Sequence, residues 1–281
     1  MLIVIKTAKE LQKILNEFKN PNSSIGFVPT MGSLHEGHLR LMRKAKRENS
    51  VVIVSIFVNP TQFNDKRDLE KYPRDLERDL ELILPTGINI VYAPSEEDIY
   101  PGGPSDVTNM DLGGLDRIME GQFRPGHFQG VAQVVKRLLE IVTPNKLYMG
   151  QKDFQQMTII RYMLKRWKMT TTLIECPTIR EPHGLAMSSR NVRLSQEGRE
   201  FAAIIYKTLK AVKCRKKTDN PEDIKKYALK RLSTSPLRVE YFDIVDSNTL
   251  KSLRDWDDSI KAVACTAVWL EGVRLIDNIY F

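Results

Sequence analysis

Val51-Val52-Ile53-Val54-Ser55-Ile56-Phe57-Val58 is the stretch that decides the fold. All of it but Ser55 is β-branched or aromatic, with no polar residue at every second position. Such a run predicts a strand covered on both faces, the habit of a central strand in a parallel sheet. Outward from it, strand-like and helix-like segments alternate. Leu2 to Ile5 reads as a short strand, and Thr7-Ala8-Lys9-Glu10 has the capping-box spacing that opens a helix. Ile25 to Val28 is a second apolar run, stopped by Pro29, and a helix follows from about Gly37 to Arg47 with Leu41, Met42 and Ala45 on one face. Beyond the central strand, Pro73 is placed to start a helix running toward Leu84, and Ile88 to Tyr92 is another strand. A Gly/Pro-rich crossover near Pro101 to Pro104 leads to a helix in which Val131, Val134, Val135, Leu138, Leu139 and Val142 follow the helical repeat. A strand over Leu147 to Met149, a helix over Asp153 to Trp167 and a strand over Leu173 to Cys176 complete the series. This alternation specifies an α/β fold with a doubly wound parallel sheet.

After Arg190 the pattern changes. Helices over about Gln196 to Val212 and Pro221 to Leu232 precede strands near Val239 to Val245, Ala262 to Leu270 and Arg274 to Ile279. Helices followed by neighbouring strands predict a smaller C-terminal α+β domain. The two domains are placed at residues 1–178 and 179–281, the second expected to close over the site.

Composition narrows the class of protein. With 281 residues, 42% hydrophobic and 28% charged, the chain is in the globular range, which excludes disorder and collagen. The longest apolar run, Val51 to Val58, is far too short to span a bilayer, and MLIVIKTAKE has no secretory leader pattern. The expectation is no membrane partner. Cys176, Cys214 and Cys265 form no paired spacing, so a zinc ribbon or C-x-x-C site is absent and a reducing cytoplasm fits. The net charge of +8 is spread along the chain, and its densest cluster, Lys213 with Arg215, Lys216 and Lys217, is followed by acids. That is a solvated helix end, and no nucleic-acid partner is expected.

Four histidines, His35, His38, His127 and His183, all fall in Gly- or Pro-containing polar segments, off the core faces of the predicted elements. The segment Pro29-Thr30-Met31-Gly32-Ser33-Leu34-His35-Glu36-Gly37-His38 joins a strand to a helix. A turn there offers unpaired backbone N–H groups and a positive dipole end, which suit phosphate. Phosphate binding is favoured here over a helix cap with two surface histidines or a zinc pair, since a zinc-protease helix needs histidines four apart. Gly150-Gln151-Lys152-Asp153-Phe154-Gln155-Gln156 again follows a strand and opens a helix; Lys152 neutralises a phosphate or is simply solvated. Ala186-Met187-Ser188-Ser189-Arg190-Asn191 sets two hydroxyls beside an arginine, for an anionic leaving group or as a polar interdomain loop. Asn59-Pro60-Thr61-Gln62-Phe63 leaves the central strand where open α/β sheets bind ligands. Arg124-Pro125-Gly126-His127-Phe128 is a stiff turn with two cations before a helix.

Taken in order, PTMGSLHEGH, FVNPTQF, FRPGHFQGV, MGQKDFQQ and REPHGLAMSSRN resemble the pantothenate synthetase (pantoate–β-alanine ligase) family of the nucleotidyltransferase superfamily, from about Ile25 to Leu194. The match is looser beyond, through RLIDN at Arg274 to Asn278. The resemblance implies a Rossmann-like fold and a homodimer. It implies ATP-dependent condensation of pantoate with β-alanine through a pantoyl adenylate, with Mg²⁺ accompanying ATP. His38 matches the proton-donor position, with His35 and Lys152 assisting catalysis. ATP falls to Pro29 through His38, to Gly150, Gln151, Lys152 and Asp153, to Ile179, and to Met187, Ser188, Ser189 and Arg190. Pantoate falls to Gln62, Gln156 and Asn59, and β-alanine to Gln62. Asp79 matches an indirect metal ligand. His183 and Met149 stand where the family commonly has an aspartate and an aromatic. Another adenylyl-transferring enzyme would share the His turn without requiring both glutamines, and a basic RNA-binding module is the non-catalytic alternative.

Overall fold

A computed structural model describes residues 2–18, 23–64, 66–103, 109–233 and 236–281. Its strands are β1 (Ile3–Ile5), β2 (Ile25–Thr30), β3 (Val51–Ile56), β4 (Ile90–Tyr92), β5 (Lys146–Gly150), β6 (Thr172–Cys176), β7 (Arg238–Asp246), β8 (Ala262–Leu270) and β9 (Val273–Tyr280). The helices are α1 (Ala8–Glu17), α2 (Glu36–Glu48), α3 (Lys66–Glu70), α4 (Leu76–Ile83), α5 (Glu96–Ile99), α6 (Glu120–Phe123), α7 (His127–Val142), α8 (Phe154–Arg166), α9 (Gln196–Arg215) and α10 (Pro221–Leu232). Contacts divide the chain into two units. The first is Met1–Arg117, Gly121–Gly150 and Ile159–Cys176; the second is Ile118–Glu120, Gln151–Thr158 and Pro177–Phe281. The second unit thus includes two short stretches from the middle of the chain.

The first unit is a parallel sheet in the order β1-β4-β3-β2-β5-β6. In β3, Val52 and Val54 join one core cluster with Val28, Met42, Ala45 and Tyr148, while Ile53 between them is equally buried on the other face. A run without alternation is what this two-sided burial requires. From β2 the chain winds through β3 to β4, then crosses to β5 on the other side of β2. The winding reverses between β2 and β5, where open α/β sheets leave a crevice at the carboxyl ends of their strands.

Several boundaries differ from expectation for local reasons. Pro29 does not stop β2, which continues to Thr30. β2 pairs with β5 only through Gly26 and Phe27, so the missing N–H of Pro29 interrupts no ladder bond. Pro73 does not start a helix; Asp75 caps α4 instead, its carboxylate accepting from Arg78 N. Of the predicted crossover, Pro104 lies outside the described residues. No described helix is long and apolar enough to cross a membrane.

The second unit is an antiparallel sheet, β7-β8-β9, backed by α9 and α10 through a core that includes Leu209, Ile224, Phe242 and Val268. A charged network spans the three strands. Arg274 of β9 bonds both Glu120 and Glu240, Tyr241 Oη donates to Glu120 at 2.6 Å, and Trp269 Nε1 donates to Glu240 at 2.8 Å. The three charged side chains are 14% exposed or less. Burial so complete makes the network unforgiving, because deleting one partner leaves two carboxylates uncompensated. Arg274→Met is expected to lower stability by about 3–5 kcal/mol, read from urea unfolding against the unsubstituted chain.

Candidate active site

The predicted residues fall in both units. In the first, the turn after β2 passes through two consecutive left-handed residues, Gly32 at φ 75° and Ser33 at φ 51°. A Cβ at Gly32 would lie 2.8 Å from Asp79 Oδ2, so both conformation and space demand glycine there. Asp79, 3% exposed on α4, receives Ser33 N at 2.9 Å on Oδ2 and Leu34 N at 2.8 Å on Oδ1. Burial pushes its carboxyl above the usual carboxylate range, against the pull of the two amides. Asp79, expected as an indirect metal ligand, thus has a structural task in this turn, each carboxyl oxygen accepting one backbone amide. Among the described residues, no three His, Cys, Asp or Glu side chains gather as a metal site.

The same geometry corrects the reading of the turn as a nest of unpaired amides. Gly32 N donates to Thr30 Oγ1 at 3.2 Å, and Ser33 and Leu34 N–H go to Asp79. His35 N donates to His38 Nδ1 at 3.3 Å and Gly37 N to His35 Nδ1 at 3.1 Å. Most of the amides are therefore consumed within the turn. What the turn offers is imidazole. Because each Nδ1 accepts a backbone hydrogen, the ring proton of a neutral imidazole sits on Nε2 in both histidines. The rings lie 4.1 Å apart at 39°, two N–H donors held side by side at the start of α2. Leu34 turns its side chain into the core.

Asn59 and Gln62 follow β3. Asn59 is 1% exposed and caps the 3₁₀ turn Pro60–Gln62. Its Oδ1 accepts from Thr61 Oγ1 and Tyr100 Oη at 3.0 Å each. Its Nδ2 donates to Gly130 O at 3.1 Å and Gln62 Oε1 at 3.2 Å. Both ends of the Asn59 amide, expected to meet pantoate, are thus engaged within the fold, and Gln62 is one of its partners. Gln62 Nε2 faces the Met31 thioether, a weak acceptor.

His127 does not lie in an open turn, as its flanks suggest; it is the first residue of α7 and only 6% exposed. Its Nδ1 bonds Gln62 O at 2.8 Å and its Nε2 meets Arg124 Nη1 at 2.9 Å, so it braces the turn that carries Gln62. Gly130 carries no signal of its own in the sequence. A Cβ there would lie 2.4 Å from Thr61 O, so α7 presses directly on the glutamine turn.

In the second unit, Gln151–Asp153 is a 3₁₀ turn in which Lys152 Nζ lies 3.5 Å from Asp153 Oδ1. Gln155 is buried and structural, its Oε1 accepting Glu120 N at 3.0 Å and its Nε2 donating to Ile118 O at 2.8 Å. Gln156, the next residue, is half-buried. Ile179 and Met187–Arg190 come together through a hairpin: Arg180 bridges Ala186, Glu181 N donates to Leu185 O at 2.8 Å, and Met187 N to Ile179 O at 2.9 Å. His183 sits in its turn, Nε2 3.6 Å from Glu181 Oε2. Ser188 caps the following 3₁₀ turn through Arg190 N, and Asn191 ties back to Glu181 at 2.7 Å. Met149, 5% exposed, lies within β5.

A parallel sheet with polar, histidine- and amide-bearing turns at its carboxyl edge is the α/β class in which ligands bind at that edge. Comparison with known proteins is more specific. The sequence matches the Pantoate-beta-alanine ligase family over residues 3–280, and the chain belongs to that family. It is 49% identical over 280 residues to the pantothenate synthetase of Azobacteroides pseudotrichonymphae, covering 99% of each chain. The crystal structure of pantothenate synthetase from Thermus thermophilus superposes with a TM-score of 0.90 at 40% identity, covering 99% of this chain and 98% of that one. The pantoate-beta-alanine ligase of Francisella tularensis, complexed with beta-gamma ATP and beta-alanine, gives 0.80 at 38% identity, covering 99% and 97%.

The tightest contact in this region gives a direct test. Gly130→Ala is expected to cost about 1–3 kcal/mol through overpacking against backbone, measured as a lowered Tm; an unchanged Tm would mean that α7 does not press on the turn.

Proposed function

We propose that this enzyme condenses pantoate with β-alanine, driven by ATP, in two steps. A pantoate carboxylate oxygen bonds to the α-phosphorus of ATP as the α–β anhydride bond breaks, releasing pyrophosphate and leaving pantoyl adenylate. The β-alanine amine then bonds to the acyl carbon, the bond to the AMP oxygen breaks, and the amine nitrogen loses a proton. Family membership and the fixed imidazole pair support this reading; the pair is the observation that carries it. Anion meeting anion makes the first barrier electrostatic, so donors held in place before reaction are the suitable means.

In this assignment His38 is the proton donor to phosphate oxygen, with His35 donating beside it. ATP is held by residues Pro29 through His38, by Gly150, Gln151, Lys152 and Asp153, and by Ile179 and Met187 through Arg190. Lys152 neutralises phosphate charge, and the Ser188-Ser189-Arg190 loop receives the departing pyrophosphate. Gln62 and Gln156 hold the pantoate carboxylate with neutral amides, which leave it nucleophilic, and Gln62 also serves β-alanine. ATP enters as its Mg²⁺ complex, the ion carried chiefly on substrate phosphates. The same reading carries a cytoplasmic homodimer.

The test is pantoate-dependent exchange of labelled pyrophosphate into ATP. The unsubstituted enzyme is expected to exchange with pantoate and not with other carboxylic acids. His38→Ala should reduce exchange roughly 10²–10⁴-fold, and near-normal exchange would remove the role. Asp79→Asn sets an NH₂ group against a backbone N–H and should lower turnover about tenfold or more, with an unaltered dependence on Mg²⁺ concentration. A curve displaced toward higher Mg²⁺ would return Asp79 to the metal.

A further inference from the structure

Asp277 and Asn278 are adjacent in β9, so their side chains leave opposite faces of the strand. Both are buried, at 4% and 5% exposure. Asn278 Nδ2 donates to two successive carbonyls, Gln151 O and Lys152 O, at 2.9 Å each. Its Oδ1 is also buried but has no partner among the described residues. An amide buried with its acceptor unsatisfied serves through its donors, and these donors hold the Lys152 turn from beneath. Asp277 takes Arg180 in a two-pronged pair, at 2.6 Å and 2.9 Å, and also accepts Asn278 N at 2.8 Å. Arg180 in turn stacks 3.6 Å above the Tyr206 ring and donates to Gly184 O at 3.2 Å, which fixes the hairpin joining Ile179 to Met187. The Lys152 charge is near enough to act on Asp277. One pleat of one strand therefore carries two loops, one on each side.

We infer that Asp277 and Asn278 are positioning residues that set the spacing between the Lys152 turn and the Ile179–Arg190 loop, and through it the grip on the polyphosphate of ATP. Neither side chain touches substrate in this scheme. The inference rests on the ATP roles proposed for Lys152 and the Ser188–Arg190 loop.

The experiment is a double-mutant cycle on the full chain, with ATP and pantoate binding measured separately by calorimetry. Asn278→Ala is expected to weaken ATP binding roughly tenfold and to raise KM for ATP more than it lowers kcat. Pantoate affinity should hold. Asn278→Ser, which keeps one donor, should recover part of the loss at an unchanged Tm, and it carries the test if the alanine variant folds poorly. Lys152→Ala should weaken ATP binding by itself, and adding Asn278→Ala to it should cost little more, because Asn278 acts through that turn. Fully additive losses, or equal weakening of ATP and pantoate, would overturn the inference, as would normal ATP binding by both Asn278 variants beside an impaired Lys152→Ala. Normal ATP binding by Lys152→Ala would instead overturn the ATP assignment, and the inference with it.

Discussion

The turn after β2 holds two successive residues in left-handed conformation, and Asp79 is what makes that shape durable. A serine at positive φ costs on the order of 1–3 kcal/mol. Each amide donated to a carboxylate offsets a comparable amount, about 1.5–3 kcal/mol. Those bonds work against both the strain and the cost of burying Asp79, and they use the amides. Once Ser33 and Leu34 N–H point inward at Asp79, the turn cannot bind anions as a glycine-rich loop does. His35 and His38 then cap the start of α2, each Nδ1 accepting a backbone hydrogen, which sets the ring proton of a neutral imidazole on Nε2. Buried charge, strained backbone and proton position form one chain of cause.

The glutamine turn shares its polar groups in a similar way. Asn59 satisfies Thr61, Tyr100, Gly130 and Gln62 at once, and His127 accounts for the Gln62 carbonyl. Everything around Gln62 is settled except the partner of its own Nε2, which faces a sulfur. The turn is thus rigid around one soft contact, that of Gln62 Nε2 with the Met31 sulfur.

Much of this is legible in the sequence. The unbroken β-branched run at Val51 announces a strand covered on both sides, and period-3.6 spacing at Val131 to Val142 announces α7. The family emerges from ordered motifs. What cannot be read are tasks defined by partners distant in sequence. Asp79 looks like any helix carboxylate until its 45-residue reach to Leu34 is seen. Asn59 carries the same amide as Gln62, and only its saturation by Tyr100 and Gly130 separates the two roles. His127 misleads because its proline- and glycine-bearing flank resembles a loop, whereas the helix begins at the histidine itself. Pro29 misleads in the opposite sense, since an unpaired side of a strand tolerates proline.

The makeup of the second unit has a consequence for anyone wishing to study it in isolation. Its charged network needs Glu120, its Asn278 amide needs Gln151 and Lys152, and Ser247 O accepts Thr158 Oγ1 at 3.3 Å, yet all four of those partners come from before Pro177. A fragment starting at Pro177 would expose Arg274 to Glu240 alone and leave the Asn278 donors with nothing to meet. No single scission of the polypeptide liberates this half whole; dissection would require a permuted or stitched gene carrying the two short internal stretches along.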